Sequence, residues 1–298
     1  MKYRRIKILI SILFRLFLLL KNALLFLSGR KPSGRCQVIY YHSVRDDEKE
    51  KFIRQIKLLK KTVQPIRADY MGKLQAGKNY VIITFDDGFN CLLRNALPEL
   101  IRHGIPCALF FPVKFLGRKP NWRTNTSFQD GNEEVMRARE IKRLPGHLVQ
   151  IGSHSYLHRM MTKMDSLEVK EEFLKSKEVL EAVTGKPVEM FSFPYGDLNC
   201  SMLKAAREAG YKRLFSIGYE VSSSELKGLL LGRVRTDPSD SLLEFKLKIL
   251  GAYAWLNYLR ILKEKLIRIK SRRRRRRVEQ SPEEGTSVPE DSLSGIKE

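Results

Sequence analysis

The sequence has few cysteines, and none of them is spaced for a metal or redox site. Cys36, Cys91, Cys107 and Cys200 form no CxxC pair and no zinc-ribbon spacing, and a domain of this size needs no disulfide. We expect reduced cysteines, which favours a reducing compartment. Apolar residues are not scarce, because 43% of the 298 residues are hydrophobic. That fraction excludes a disordered protein and suits one large domain or two small ones.

Acidic residues are absent from the first 35 residues of the chain, and basic residues are scarce in the last 21. Residues 1–35 hold nine Lys and Arg and no acid, whereas residues 242–277 hold thirteen against two acids. Residues 278–298 hold one Lys against six acids, which leaves +8 of the net charge of +23 on residues 36–241. We therefore predict a basic membrane-associating segment (1–35), a globular domain (36–241), a basic amphipathic helix with a polyarginine run (242–277) and a disordered acidic tail (278–298).

The apolar segment at residues 6–27 has no small-x-small cleavage site, and Arg15 interrupts it, so we do not expect a signal peptide. A spanning helix needs about 20 apolar residues, and Arg15 and Lys21 fall inside this one. The polar residues instead share one face of a helix, which is typical of a basic amphipathic helix lying in the membrane interface. We predict a protein associated with the inner membrane at its cytoplasmic face. A single N-terminal span with the domain outside remains the alternative.

The second basic flank has a similar composition. Tyr253, Trp255 and Tyr258 lie among apolar and basic residues, as at membrane interfaces, and six arginines follow at 272–277. An anionic membrane surface is the partner that both flanks favour. A nucleic-acid binder is the competing hypothesis, but no aromatic-basic readout motif accompanies the arginines, so we expect no nucleic acid.

Between the flanks, short apolar runs alternate regularly with amphipathic ones. About seven strand–helix repeats fall within residues 36–241, and the predicted helices include residues 91–104 and 133–144. Such alternation implies parallel strands joined by crossover helices. The pattern predicts an α/β fold, a distorted (β/α) barrel of about seven repeats with amphipathic helical flanks.

Polar residues collect at the C-terminal ends of the predicted strands. The stretch VIITFDDGFN takes an apolar strand into Asp86 and Asp87, and His42, His154 and the pair Pro194–Tyr195 end other strands. In a β/α barrel these ends converge on the face that carries the active site. The sequence therefore predicts one site built from all of them.

The residue types at these positions suit a hydrolytic metal centre. His154 and His158 are four residues apart, and with Asp87 they make three ligands with an open position, as in catalytic divalent metal sites. A histidine pair at this spacing is often incidental, but its place at a strand end favours metal binding. Asp86 then stays available as a general base, and the charge of the metal keeps both acids ionised.

Three motifs resemble those of the polysaccharide deacetylases, carbohydrate esterase family four. They are TFDDG (84–88), HSYLH (154–158) and FPYG (193–196), and the resemblance covers roughly residues 36–240. It implies a distorted β/α barrel that removes an N- or O-acetyl group from a sugar with a metal, usually zinc. It also implies that Asp86 is the base, that the metal ligands are Asp87, His154 and His158, and that Tyr195, beside Pro194, lines the site and offers its backbone N–H to the oxyanion.

The sequence departs from this family at two positions. Ser192 stands where the family often has an arginine that orients the base, so we expect Arg233 or Arg235 to supply that charge. No histidine follows His158, although the family's usual general acid is a later histidine. His42 is the remaining candidate for the acid, and its alternative role is that of a buried strand residue. Its "YH" context resembles a subgroup that acts on poly-N-acetylglucosamine.

The leading hypothesis is a metal-dependent carbohydrate deacetylase acting on a cell-envelope sugar or an exopolysaccharide. A deformylase of a lipid-linked amino sugar is an alternative, because a formyl amide needs the same metal and base. A catalytically inactive glycan-binding module is another. The expected substrate is a glycan or a lipid-linked saccharide.

Overall fold

A computed structural model describes residues 2–122, 132–219 and 221–262. Of these, the residues up to 257 form one compact unit, and residues 258–262 belong to a second. The polyarginine run and the acidic tail lie outside the described residues.

Seven parallel strands close into a barrel. The barrel strands are β1 (Arg35–Tyr41), β3 (Asn79–Phe85), β4 (Cys107–Phe111), β5 (Val149–Ser153), β6 (Met190–Ser192), β7 (Arg213–Ile217) and β9 (Leu230–Arg235). Each strand is hydrogen-bonded to the next in the order β1-β3-β4-β5-β6-β7-β9, and β9 pairs with β1 to complete the ring. This confirms the predicted barrel of about seven repeats.

Two short strands that the sequence analysis did not predict flank the ring. β2 (Gln64–Pro65) runs parallel to β3, and β8 (Val221–Ser223) runs antiparallel to β1. Both are too short for an alternating pattern to be visible in the sequence.

The alternation of side chains along the strands divides the core into two layers. In β1, Val38 belongs to one buried apolar cluster, and its neighbour Ile39 belongs to the cluster that includes the helices. Ile82 and Ile83 of β3 divide in the same way. Because side chains alternate across a strand with a period of two, each strand contributes to both layers.

Eight helices have bounds in the described part of the chain. The longest helix after the first illustrates why they form: Asp165 accepts hydrogen bonds from the N–H groups of Leu167 and Glu168, and Gly185 ends the helix in the left-handed conformation. The helices are α1 (Lys2–Leu27), α2 (Lys49–Thr62), α3 (Cys91–Asn95), α4 (Leu97–Arg102), α5 (Ala138–Lys142), α6 (Ser166–Thr184), α7 (Cys200–Glu208) and α8 (Leu242–Ile249).

Two predicted helices differ in the structure. The helix expected over 91–104 is divided into α3 and α4 at Ala96, because Pro98 has no N–H to donate to a preceding turn. The helix expected over 133–144 is shortened to α5. Val135 instead forms β-bridges with Phe89 and Leu116, which hold its segment in an extended conformation.

The N-terminal helix α1 packs against α8 and the segment that follows it through a face that carries both polar and apolar residues. Arg4 forms ion pairs with Asp240 (3.0 Å) and Glu244 (2.7 Å). Further along, the indole N–H of Trp255 donates to the hydroxyl of Ser11 (2.9 Å), which is fully buried. The polar stripe of α1 is therefore used in part for contacts with the barrel.

The remaining surface of α1 is apolar and exposed. Residues Tyr3–Leu27 are long and apolar enough to cross a membrane by length and composition, and only 11% of the apolar window is buried. By contrast, Phe245 and Ile249 of α8 are buried in the main core, so this part of the second basic flank is packed on the barrel. The exposed apolar side chains of α1 include Leu9, Leu13, Leu16, Phe17, Leu20 and Leu24.

Candidate active site

The predicted site residues come together in one cavity at the C-terminal ends of the strands. The cavity has a volume of about 150 Å³. Seven of the eight predicted residues line it, namely His42, Asp86, Asp87, His154, His158, Tyr195 and Arg233. The eighth, Pro194, is buried and does not line it.

The loops that carry these residues have unusual backbone conformations. Asp87, Ser155, His158 and Tyr195 all have positive φ angles of 52° to 68°. Non-glycine residues in this region are strained, and such residues cluster at functional sites. After Asp87, Gly88 also has a positive φ, and an added Cβ there would lie 2.3 Å from the ring of Phe111.

Hydrogen bonds hold the loop after β5 in its strained form. The Ser155 hydroxyl accepts from the N–H of His158 (2.9 Å). The buried carboxylate of Glu172, on α6, accepts from the N–H groups of Tyr156 (2.7 Å) and Leu157 (2.9 Å). The loop is therefore fixed by the protein itself, which places His158 beside His154.

Asp87, His154 and His158 form a buried cluster whose potential ligand atoms lie within 4.8 Å of one another. Nε2 of His158 is 3.3 Å from Oδ1 of Asp87, and Nε2 of His154 is 3.8 Å from it. This carboxylate oxygen is buried and has no hydrogen-bond partner among the described residues. A buried oxygen without a partner is costly, and a cation between the three side chains would satisfy it. The residues therefore fit a divalent metal.

The tautomer of His154 also suits metal binding. Nδ1 of this histidine is 2.8 Å from the carbonyl oxygen of Ser192 and donates to it, which leaves the lone pair of Nε2 directed at Asp87. Burial lowers the pKa of His154 to about 4. The ring is thus neutral at physiological pH, the form that can bind a cation.

Arg233 holds the carboxylate of Asp86 with two parallel hydrogen bonds. Its two terminal nitrogens lie 2.8 Å from the two carboxylate oxygens. They also donate to the hydroxyls of Thr84 (3.1 Å) and Ser192 (2.7 Å), and Ser192 donates to Asp86 (3.2 Å). Burial by itself would raise the pKa of Asp86, but the positive charge of Arg233 outweighs it and holds this pKa far below its usual value.

This pair decides between the two arginines that the sequence left open. Arg233 is fully buried at Asp86, whereas Arg235 is half-buried and makes no ion pair within the described ranges. Ser192, at the position where the resemblance led us to expect an arginine, is hydrogen-bonded through its hydroxyl to both Asp86 and Arg233.

His42 and Tyr195 lie at the more open side of the cavity. His42 is half-buried, with its ring edge-on to that of Tyr40 at 5.5 Å. Tyr195 is 40% exposed, and its ring centroid is 5.0 Å from that of His158. Both residues can therefore contact a molecule that enters from solvent.

Trp122, which was not among the predicted site residues, is part of the cavity wall. Its ring stacks on His158 with centroids 4.1 Å apart and planes inclined by 22°, and Phe115 supports it edge-on at 4.7 Å. The sequence held one indication that Trp122 belongs to the site: it is one of only two tryptophans, and it follows the apolar run that forms β4.

Comparison with known proteins gives a consistent result. The model of the family described as "Polysaccharide deacetylase" matches residues 73–214. The protein YxkH of Bacillus subtilis is 24% identical over 227 residues, covering 72% of this chain and 76% of YxkH. The peptidoglycan-N-acetylglucosamine deacetylase of Bacillus cereus is 26% identical over 153 residues, covering 51% of this chain and 48% of that protein.

A solved structure shares the fold. IcaB from Ammonifex degensii superposes with a TM-score of 0.58 at 21% identity, covering 74% of this chain and 97% of IcaB.

Proposed function

We propose that the chain, whose residues 73–214 match the polysaccharide deacetylase family, is a carbohydrate deacetylase of that family and removes N-acetyl groups from a cell-envelope or exopolysaccharide sugar in a metal-dependent reaction. The proposal rests on one observation above the others. The buried Oδ1 of Asp87, which has no hydrogen-bond partner among the described residues, faces His154 and His158, directly beside a carboxylate that Arg233 keeps ionised. Zinc is the metal that such a two-histidine, one-carboxylate set favours.

Asp87, His154 and His158 would hold the cation. When bound, it supplies a Lewis acid that polarises the acyl carbonyl and makes water more acidic. The narrow cavity and the stacked ring of Trp122 restrict the approach of solvent to these ligands.

Asp86 takes the proton of the attacking water at a carboxylate oxygen. Its bidentate bond to Arg233 uses one lone pair of each oxygen, and Ser192 donates to Oδ1 as well, so Oδ2 keeps a lone pair that can accept the proton. Arg233 is a positioning residue that keeps the carboxylate ionised and fixes its plane. Tyr195 lines the acyl site and offers its backbone N–H to the developing oxyanion.

His42 gives a proton to the departing nitrogen. An amide nitrogen must be protonated before it leaves a tetrahedral intermediate. His42 lines the cavity from β1, on the side opposite β5, the strand that His154 and His158 follow. No histidine follows His158 in the sequence, which makes His42 the candidate for the general acid, and its position at the end of β1 supports that role.

The protein is held at a membrane by α1, which lies along the interface. Its exposed leucine and phenylalanine side chains would enter the lipid, while Arg4 holds the helix on α8 and Ser11 holds it on Trp255. A helix standing across the membrane would have to give up these contacts. We place the enzyme at the cytoplasmic face of the inner membrane, and zinc and this location are both parts of the proposal.

Release of acetate and formate from candidate glycans tests this function. We expect the metal-loaded protein to release acetate, a chelator to abolish release, and added zinc to restore it. Release that is unaffected by a chelator would contradict the metal-dependent reaction. An absence of release from any glycan, together with tight glycan binding, would instead support the inactive binding module.

A further inference from the structure

A second cavity adjoins the proposed active site on the side of α1. It has a volume of about 350 Å³ and lies between the N-terminal turns of α1, α8 and the end of β9. Arg235 lines both this cavity and the catalytic one. A molecule bound in the second cavity would therefore lie next to the catalytic cavity, with the side chain of Arg235 between the two.

Most of the charges in this cavity neutralise one another. Arg4 pairs with Asp240 and Glu244, and Lys248 pairs with the same two acids at 2.6 and 3.6 Å. These four residues join α1 to the barrel and leave no charge over for a ligand.

Two cations remain, Lys7 on α1 and Arg235 on β9. Neither makes a side-chain hydrogen bond or an ion pair within the described residues, and both line the cavity. The nearby carboxylate of Asp237 accepts from the N–H of Ser239 (2.8 Å). Burial raises its pKa, but the side-chain and backbone hydrogen bonds of Ser239 and the charges of Arg235 and Lys248 outweigh burial and lower it. One positive charge is therefore left over in the cavity.

Where the second cavity meets the exposed surface of α1, its surroundings are apolar. Tyr3, Ile6 and Ile10 of α1 are exposed on the same turns that carry Lys7. A ligand with an anionic head beside an apolar chain matches this arrangement, because the head meets Lys7 and Arg235 while the chain follows α1 into the membrane interface.

We infer that this cavity binds the phosphate of a lipid-linked saccharide, so that the substrate is an acylated amino sugar joined through phosphate to a long apolar chain. The inference rests on the proposed deacylase function and specifies its substrate class. Because Arg235 lines both cavities, the acylated sugar is the one nearest to the phosphate. The fork of an arginine suits phosphate oxygens, and Lys7 adds a second charge from the membrane side.

Binding of farnesyl phosphate, with farnesol as the uncharged control, tests the site without requiring turnover. We expect the protein in detergent to bind farnesyl phosphate about 10- to 100-fold more tightly than farnesol, the scale of a charge-assisted contact. Arg235→Gln and Lys7→Gln should each remove most of that preference. Lys21→Gln is the matched control, because it removes one charge from an exposed position of the same helix and should keep the preference.

Equal losses in Lys7→Gln and Lys21→Gln would overturn the inference, since the phosphate would then respond only to the general charge of α1. A second arm compares cosedimentation with phosphatidylglycerol and phosphatidylcholine vesicles. If Arg235→Gln weakens binding to the anionic vesicles as strongly as it weakens binding to farnesyl phosphate, the cavity holds a bilayer headgroup and the substrate assignment is wrong.

Turnover separates this inference from the proposed function. We expect kcat/KM for a farnesyl phosphate-linked N-acetylglucosamine to exceed that for methyl N-acetylglucosaminide, and Arg235→Gln to reduce the ratio of the two by about 10-fold or more. A wild-type ratio near one, with both substrates hydrolysed, would refute the lipid-phosphate site and leave the deacetylase intact. A failure to hydrolyse either substrate, with farnesyl phosphate still bound selectively, would count against the proposed function only.

Discussion

The Asp86–Arg233 pair allows a prediction that links stability and catalysis. The pair is buried, bidentate and supported by Thr84 and Ser192. Arg233→Met leaves the carboxylate without its cation, and Asp86→Asn leaves the guanidinium without its anion. Removing one partner of a buried ion pair costs about 3–5 kcal/mol in the free energy of unfolding, because the other charge remains in a site of low polarity.

The double variant should be less damaging than the two single ones together. With both charges removed, no unpaired charge stays buried, so we expect the double variant to lose no more stability than either single variant. The coupling free energy between the two positions is then about 3 kcal/mol or more, the scale of a broken buried pair. Arg233→Lys keeps the charge but not the planar fork, and it should fall between Arg233→Met and the wild type.

Urea unfolding of all variants measures this coupling, with a chelator present so that metal does not replace the lost cation. Arg235→Met is the control, because this residue makes no ion pair in the described part of the chain, and it should cost about 1 kcal/mol or less. Acetate release by the metal-loaded variants is measured in parallel, and Arg233→Met should lose about 10²–10⁴-fold in kcat through its effect on the base. Additive losses of stability in the two single variants would refute the proposed pairing.

The other predictions concern the metal, the acid and the membrane. His154→Ala should lose about one equivalent of metal by elemental analysis, whereas the exposed His147→Ala should keep it, and equal contents would contradict the ligand set. His42→Gln should lower kcat on N-acetyl substrates by about 10²–10³ but hardly affect aryl acetates, whose leaving group needs no proton; equal losses would assign His42 to binding. Replacement of Leu13 and Phe17 by Gln should weaken cosedimentation with vesicles, while Leu167→Gln on α6 should not. Unchanged vesicle binding would move the membrane contact away from α1.

Much of the site was predictable because its information is local. Asp86 and Asp87 follow directly on an apolar run, and His154 and His158 are four residues apart in one short segment. Such patterns indicate where a strand ends and which side chains directly follow its end. The convergence of parallel strand ends at one face of a barrel then brings the segments together without further information.

Other parts of the site depend on residues that are far apart in the sequence. Arg233 and Asp86 are 147 positions apart. Arg235 lies two residues after Arg233, so the alternation along β9 places both arginines on the same face and does not distinguish them. Their roles follow from the stagger of β9 against β3, which puts one guanidinium at the depth of Asp86 and the other near the rim. The stacking of Trp122 on His158 has the same origin, because a loop after β4 reaches a loop after β5.

For α1, the sequence determined the helix and its amphipathic character, since both depend on a period of about 3.6 residues. The same polar stripe can face lipid headgroups or protein, and the sequence does not distinguish these surroundings. The tertiary structure decided the matter residue by residue: Arg4 and Ser11 are bonded to the barrel, while Lys7 remains at the edge of a cavity. The physical reason is that a helical pattern specifies directions around one axis, whereas the partner on each side depends on how that axis packs against α8.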